Sequence, residues 1–322
     1  MTRPEQLTPE FRALSAKLGQ DPLRVQGPGG NTSIKDGNVM WIKASGTELA
    51  EAETSDIFIA VDRKAALAEV HGAGDGSCKA TVIDPTISLR PSIETTFHAA
   101  LDWPVVVHTH SVATIMHAIS PEGRAAATEK LSDLPALSVP YRKPGLPLTL
   151  EILRRLTPET QVIILENHGL ICCGRTVAET NELIEEVERR LSLPARDLSG
   201  EVDRPAPDGT EWATRATGLA TDRRCFDLAR TGSYYPDHVV FLGPALPTSG
   251  ADPERPVHLV EGHGAAIRTD ATASQRAMLQ CLADVFARLP EDWTVEPIGP
   301  TAEADLLNWD AEKYRQALAE RS

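Results

Sequence analysis

The stretch from Glu94 to His110 reads Glu-Thr-Thr-Phe-His-Ala-Ala-Leu-Asp-Trp-Pro-Val-Val-Val-His-Thr-His. Its first half has helical spacing, with Glu94 and His98 four apart on one face. Its second half is a β-branched run that ends in two histidines separated by one residue. Residues i and i+2 of an extended strand leave the backbone on the same side, so His108 and His110 can offer two imidazoles to one cation. Burying that pair at the end of an apolar strand without a partner is costly, which favours a metal over a satisfied core. A second apolar run, Gln161-Val-Ile-Ile-Leu-Glu-Asn-His168-Gly169, ends in the same way. Three neutral imidazoles with one position left open make a catalytic zinc arrangement. Glu94 has two readings: a solvated first-turn carboxylate favoured by the helix dipole, or a carboxylate beside the metal that moves a proton.

Working outward, residues 8–19 read as a helix with Thr8 at the N-cap, Pro9 at the first helical position and Gly19 just past the end. Strands are expected at 31–35 and 38–43, joined across Asp36-Gly37, and at 57–61, followed by an exposed loop over 71–86. A helix over 92–101, a strand over 105–108 and a helix over 111–119 come next. A strand at 136–139, a helix at 149–156, paired strands at 161–166 and 169–173, and an amphipathic helix over 176–193 complete the first part. Alternating strands and helices with some hairpin links imply an α/β fold with a mixed, largely antiparallel sheet flanked by helices. The organisation expected is a catalytic domain over 1–196, a polar linker over 197–208 and a smaller α/β unit over 209–322. Strands are expected in that unit at 238–242 and 258–260, with a helix over 274–289.

The run Gly27-Pro-Gly-Gly-Asn-Thr-Ser33 lacks the spacing of a Walker loop or a dinucleotide fingerprint. It is either a plain turn or, through Gly30 and Asn31, part of a backbone nest for an anion. Lys43, Ser45 and Gly46 place a cation, a hydroxyl and a flexible backbone at the end of the next strand, and Ser92 adds a hydroxyl near a helix start. These residues suit a phosphate or carboxylate. Cys172-Cys173 reads as sheet packing.

Thirty-two basic against forty-six acidic residues give a net charge of −14, which opposes attraction to nucleic acid or anionic membranes. An anionic substrate must therefore be gripped by local donors. Five unevenly spread cysteines without a Cys-x-x-Cys pair do not form a disulfide framework. With neither a signal-like N-terminus nor a membrane-length apolar run, a cytoplasmic location is the expectation.

In order along the chain, Gly30-Asn31-Thr32-Ser33, Ala44-Ser45-Gly46, Ser92-Ile93-Glu94, His108-Thr-His110 and Asn167-His168-Gly169 resemble the motifs of the class II aldolase/adducin family of zinc-dependent sugar-phosphate aldolases. The likeness covers roughly residues 5–195 and is greatest to the aldolase half of bifunctional rhamnulose-phosphate aldolase/dehydrogenase proteins. The resemblance implies a three-layer α/β/α fold, and Zn2+ on His108, His110 and His168 with Mn2+ or Co2+ as alternatives. It further implies aldol cleavage of a small anionic sugar derivative through a zinc-stabilised enediolate, with Glu94 carrying the proton. Gly30, Asn31, Lys43, Ser45, Gly46 and Ser92 are the residues expected to bind that substrate. A homo-oligomer, with a tetramer as one form, is also implied.

Two positions depart from the family pattern. Ile93 stands where some members have a hydroxyl, which leaves a carboxylate as the alternative anion. The family's acid tyrosine has no counterpart between Ser111 and Pro140, so Tyr141 or the Tyr234-Tyr235 pair are the substitutes. Decarboxylation or epimerisation on the same scaffold is the competing reaction. A non-catalytic adducin-like binding module is the competing class.

Overall fold

The computed structural model describes residues 7–248, 252 and 254–320. Its main sheet is built from β1 (Asn31–Asp36), β2 (Val39–Lys43), β3 (Phe58–Asp62), β4 (Val105–Thr109), β5 (Ala136–Val139), β6 (Val162–Leu165) and β7 (Gly169–Gly174). The first seven helices are α1 (Pro9–Gln20), α2 (Arg63–Ala68), α3 (Thr95–Ala100), α4 (Val112–Ala118), α5 (Pro121–Lys130), α6 (Leu146–Arg155) and α7 (Val177–Leu191). The expected N-cap on α1 forms, Thr8 Oγ1 accepting from Phe11 N at 3.3 Å.

The strand order is β3-β2-β1-β4-β7-β6-β5. Every neighbouring pair is antiparallel except β5 with β6. β4, buried at all five positions, takes the centre of the sheet. Its side chains alternate between two cores. Val105 and Val107 pack with Phe11 and Leu18 of α1 and Ile184 and Leu191 of α7. Val106 joins Phe97 of α3 and Leu148 and Ile152 of α6 on the other side. The result is an α/β fold in three layers around a mixed, mostly antiparallel sheet.

Residues 192–209 contain no helix or strand. Beyond them lie β8 (Thr210–Trp212), β9 (Val257–Val260) and β10 (Gly264–Arg268), an antiparallel sheet in the order β8-β10-β9. With them come α8 (Gly218–Thr221), α9 (Arg223–Ala229), α10 (Pro236–Leu242), α11 (Ala273–Arg288), α12 (Pro300–Leu307) and α13 (Asp310–Ala319). Their core reaches across to α4, whose Val112, Ile115 and Met116, with Ile119 just past its end, pack with Tyr234, Leu282 and Phe286. No described helix is long and apolar enough to cross a membrane, and all five cysteines are buried free thiols.

Four expectations need correction. The run 238–242 is not a strand but most of α10: Pro236 takes the first helical turn and Gly243, at φ +81°, ends it. The start and stop residues outweigh the β-branched composition of the run, which is buried on all sides. The segment 71–86 is only partly loop, since Val82 bridges Val61 and both Cys78 and Thr81 are buried. The helix expected over 92–101 starts regularly at Thr95, with Glu94 at its N-cap position. That expected over 149–156 begins at Leu146, after Gly145 at φ +86°.

Gly30 controls the approach of the turn before β1 to β4. Its φ is +58°, and a Cβ there would lie 2.8 Å from the His108 carbonyl oxygen. A Gly30→Ala variant should lose about 1–3 kcal/mol in a urea unfolding titration, from the left-handed backbone and the clash together.

Candidate metal centre

Sheet register brings the histidines together. β1 pairs with β4 so that Asn31 stands opposite His108, and β4 pairs with β7 so that His108 faces Ile171. The β6–β7 turn carries His168 to the same end of the sheet. Asn167 there adopts a left-handed φ of +53° and anchors the turn by donating to the carbonyls of Tyr234 at 3.1 Å and Glu296 at 2.7 Å.

His108, His110 and His168 are all buried, and each offers a ligand atom within 4.8 Å of the other two. Two nitrogens bound to one zinc, each about 2.0–2.1 Å from it, stand about 3.3 Å apart at a tetrahedral angle. The Nε2 atoms of His108 and His110 are 3.2 Å apart. His108 donates its Nδ1–H to the Leu170 carbonyl at 2.9 Å, which leaves the Nε2 lone pair facing inward. Burial pushes the His108 and His168 pKa values down, so both rings are neutral at pH 7, the form that binds a metal.

Glu94 completes the cluster. Its Oε2 lies 3.4 Å from His108 Nε2 and its Oε1 3.5 Å from His168 Nε2. Asn31 donates to Glu94 Oε2 at 2.8 Å and to Ser92 Oγ at 3.1 Å. Asn31 is fixed in turn by His98, whose Nε2 meets its Oδ1 and whose Nδ1 lies 2.7 Å from Ser33 Oγ. Glu94 Oε1 and His168 Nδ1 are buried without a hydrogen-bond partner, a costly state for a carboxylate oxygen. A divalent cation among the three Nε2 atoms relieves it at Glu94, so the residues present fit such an ion.

Gly30, Asn31, Lys43, Ser45, Gly46 and Ser92 all line the pocket that opens onto Glu94, His110 and His168. Lys43 donates to the Pro28 carbonyl at 2.8 Å. Burial, with Arg315 adding to it, lowers the Lys43 pKa to about 7.

Three pocket residues escaped the reading of the sequence: Asp237, Glu312 and Arg315. Arg315 grips both oxygens of Asp237, at 2.9 and 3.1 Å, and one of Glu312 at 2.8 Å. Asp237 Oδ2 in turn lies 3.1 Å from His110 Nδ1, the carboxylate–histidine pairing that orients metal ligands. Burial alone would raise the Asp237 pKa, but Arg315 and His110 hold it well below the carboxylate range. The Pro236-Asp237 helix start was a local signal for Asp237; nothing in the spacing of α13 marks Arg315 as facing a site 78 residues away. Among the described residues no tyrosine lines this pocket. Tyr234 spends its hydroxyl on the Leu228 carbonyl at 2.8 Å, and Tyr235 is buried in the C-terminal core.

Comparison with known proteins gives a consistent answer. Residues 11–193 match the Class II Aldolase and Adducin N-terminal domain. The uncharacterized oxidoreductase YuxG of Bacillus subtilis is 29% identical over 54% of this chain, which spans only 28% of that protein's length. The L-fuculose phosphate aldolase of Methanocaldococcus jannaschii is 27% identical over 59% of this chain and 96% of its own. The solved N-terminal class II aldolase domain of a conserved protein from Thermoplasma acidophilum superposes with a TM-score of 0.52 at 26% identity, covering 59% of this chain and 94% of that one. Relatives also include a sugar-phosphate dehydratase and a decarboxylase. Asp237, Glu312 and Arg315 lie outside the matched residues.

Lys43 gives the site a pH signature. Its folded pKa of about 7 lies below the ordinary 10.5, so between those values the unfolded chain binds the extra proton and stability rises with pH. Subtracting the unfolding free energies of Lys43→Met from those of the native chain should leave a rise of up to about 1.4 kcal/mol per pH unit across that window, and a flat line below it.

Proposed function

Because the chain belongs to the class II aldolase and adducin family, we propose that it is a divalent-metal-dependent carbon–carbon lyase that cleaves or forms a small anionic sugar derivative. The observation that carries this reading is the convergence of three buried imidazole nitrogens and the Glu94 carboxylate at one end of a pocket that also holds Lys43, Ser45 and Ser92. His108, His110 and His168 would hold the metal, zinc by the chemistry of the donor set. When bound, it supplies Lewis acidity that stabilises negative charge developing on substrate oxygens.

The chain's own residues do the rest. Glu94, released toward the substrate, takes or returns the proton at the carbon that becomes the nucleophile. Asn31 keeps the carboxylate aimed, because its amide is locked between Glu94 and His98. Asp237 keeps the His110 ring turned toward the site. Lys43 and Arg315 oppose Glu94, Asp237 and Glu312 in formal charge around the pocket. A dication adds two positive charges to that balance, which suits an anionic substrate. Residues 1–196 are assigned the catalysis, and the unit from residue 209 is assigned the closing wall.

Decarboxylation of an oxo-acid by the same residues is the second reading. It is favoured by Ile93, which lines the pocket with an alkyl group beside Ser92 rather than with a second hydroxyl for phosphate. Carbon dioxide release from a panel of small oxo-acids separates the two reactions.

Chelation should abolish cleavage of a sugar-phosphate panel, and added zinc, manganese or cobalt should restore it. Glu94→Gln, which keeps the shape of the side chain, should retain its metal while turnover falls by about a hundredfold or more. Normal turnover in that variant would remove Glu94 from the reaction. Protein that never takes up metal would instead favour the adducin-like binding module.

A further inference from the structure

The pocket at the triad offers only about 30 Å³, far below the several hundred Å³ of an ordinary small-molecule site. A sugar derivative of several carbons must extend elsewhere. The side above Gly46 is closed by Leu318, and Glu312 and Arg315 form another wall. Ser45, Ile93 and Pro144 line both this pocket and a second chamber, open to solvent, of about 360 Å³, and so form the neck between them; that volume is comparable with small-molecule sites.

That chamber has an unusual charge arrangement for so acidic a chain. Lys79, Arg90 and Lys143 line it, and none of them makes an ion pair among the described residues. Two of these cations are held by aromatic faces. The Arg90 guanidinium lies 3.9 Å from the centroid of the Tyr314 ring, and the Lys143 ammonium 4.5 Å from that of Trp309. Stacking of this kind fixes position while leaving charge uncompensated. Asp75 and Asp310 also line the chamber; neither forms an ion pair with Arg90 or Lys143, although Lys79 acts on Asp75 through space. Ser45 ties the chamber to the triad side, its N–H donating to the Arg90 carbonyl at 2.9 Å.

We propose that this chamber binds the distal anionic end of the substrate, a phosphate or carboxylate, through Arg90 and Lys143 with Lys79 beside them. Resting on the lyase reading above, this narrows the substrate to an extended molecule. Its chelating oxygens lie at the triad and its anion lies several carbons away, beyond the neck.

The test is a titration of the intact chain with inorganic phosphate, and separately with succinate, at low ionic strength, followed by tryptophan fluorescence. Trp309 should report binding, and Trp309→Phe should lose the signal. The tighter of the two probes identifies the anion. Arg90→Ala with Lys143→Ala should weaken binding by about tenfold or more. Arg90→Gln with Lys143→Gln, which keeps stems to cover the rings, should do the same at an unchanged melting temperature. Unchanged affinity in both double variants, or loss in Lys43→Met alone, would return the anion to the pocket at the triad and overturn the proposal. Metal content measured on the same proteins keeps the two ideas separate: an empty native chain removes the lyase reading, while the anion titration still decides the chamber.

Discussion

Burying three imidazoles and a carboxylate around one point, at the end of the central strand of the sheet, is the constraint on which this structure rests. Each group is nearly inaccessible to water, and each would carry a large desolvation cost if left to itself. The surroundings offset that cost in different ways. His108 is satisfied by a backbone carbonyl, His110 faces Asp237, and Glu94 takes the amide of Asn31. One carboxylate oxygen and one ring nitrogen stay without partners.

The C-terminal third of the chain is part of that organisation. α4 contributes to both cores, one face toward the sheet and the other toward α10 and α11. From this platform α10 delivers Asp237 and α13 delivers Arg315 and Glu312. None of the three lies within the residues matched to the family. The family scaffold thus supplies the histidines, Glu94 and the turns that line the pocket, while the additional unit supplies buried charges that face His110 and narrow the pocket.

What could be read in the sequence was whatever local spacing encodes. The i, i+2 histidines on an apolar strand, the Asp36-Gly37 hairpin and the Thr8-Pro9 helix start each carry their geometry within a few residues. Asn31, Ser45 and Ser92 could be grouped because each sits at an element boundary marked by glycine or a hydroxyl. The residues that escaped are those whose meaning comes from long-range packing. Arg315 reads as an ordinary partner of Glu312 one helical turn earlier until the fold brings Asp237 beneath it. The run 238–242 shows the opposite error, where β-branched composition hid a helix whose start and stop residues, Pro236 and Gly243, were visible in the chain.

The central claim is coordination of one divalent cation by three imidazoles, and X-ray absorption at the zinc edge of the metal-loaded, substrate-free protein tests it most directly. The account predicts one metal per chain, bound by three imidazole nitrogens at about 2.0–2.1 Å with oxygen ligation completing the shell. A shell of oxygens alone, a sulfur ligand from the buried cysteines, or no bound metal would contradict it.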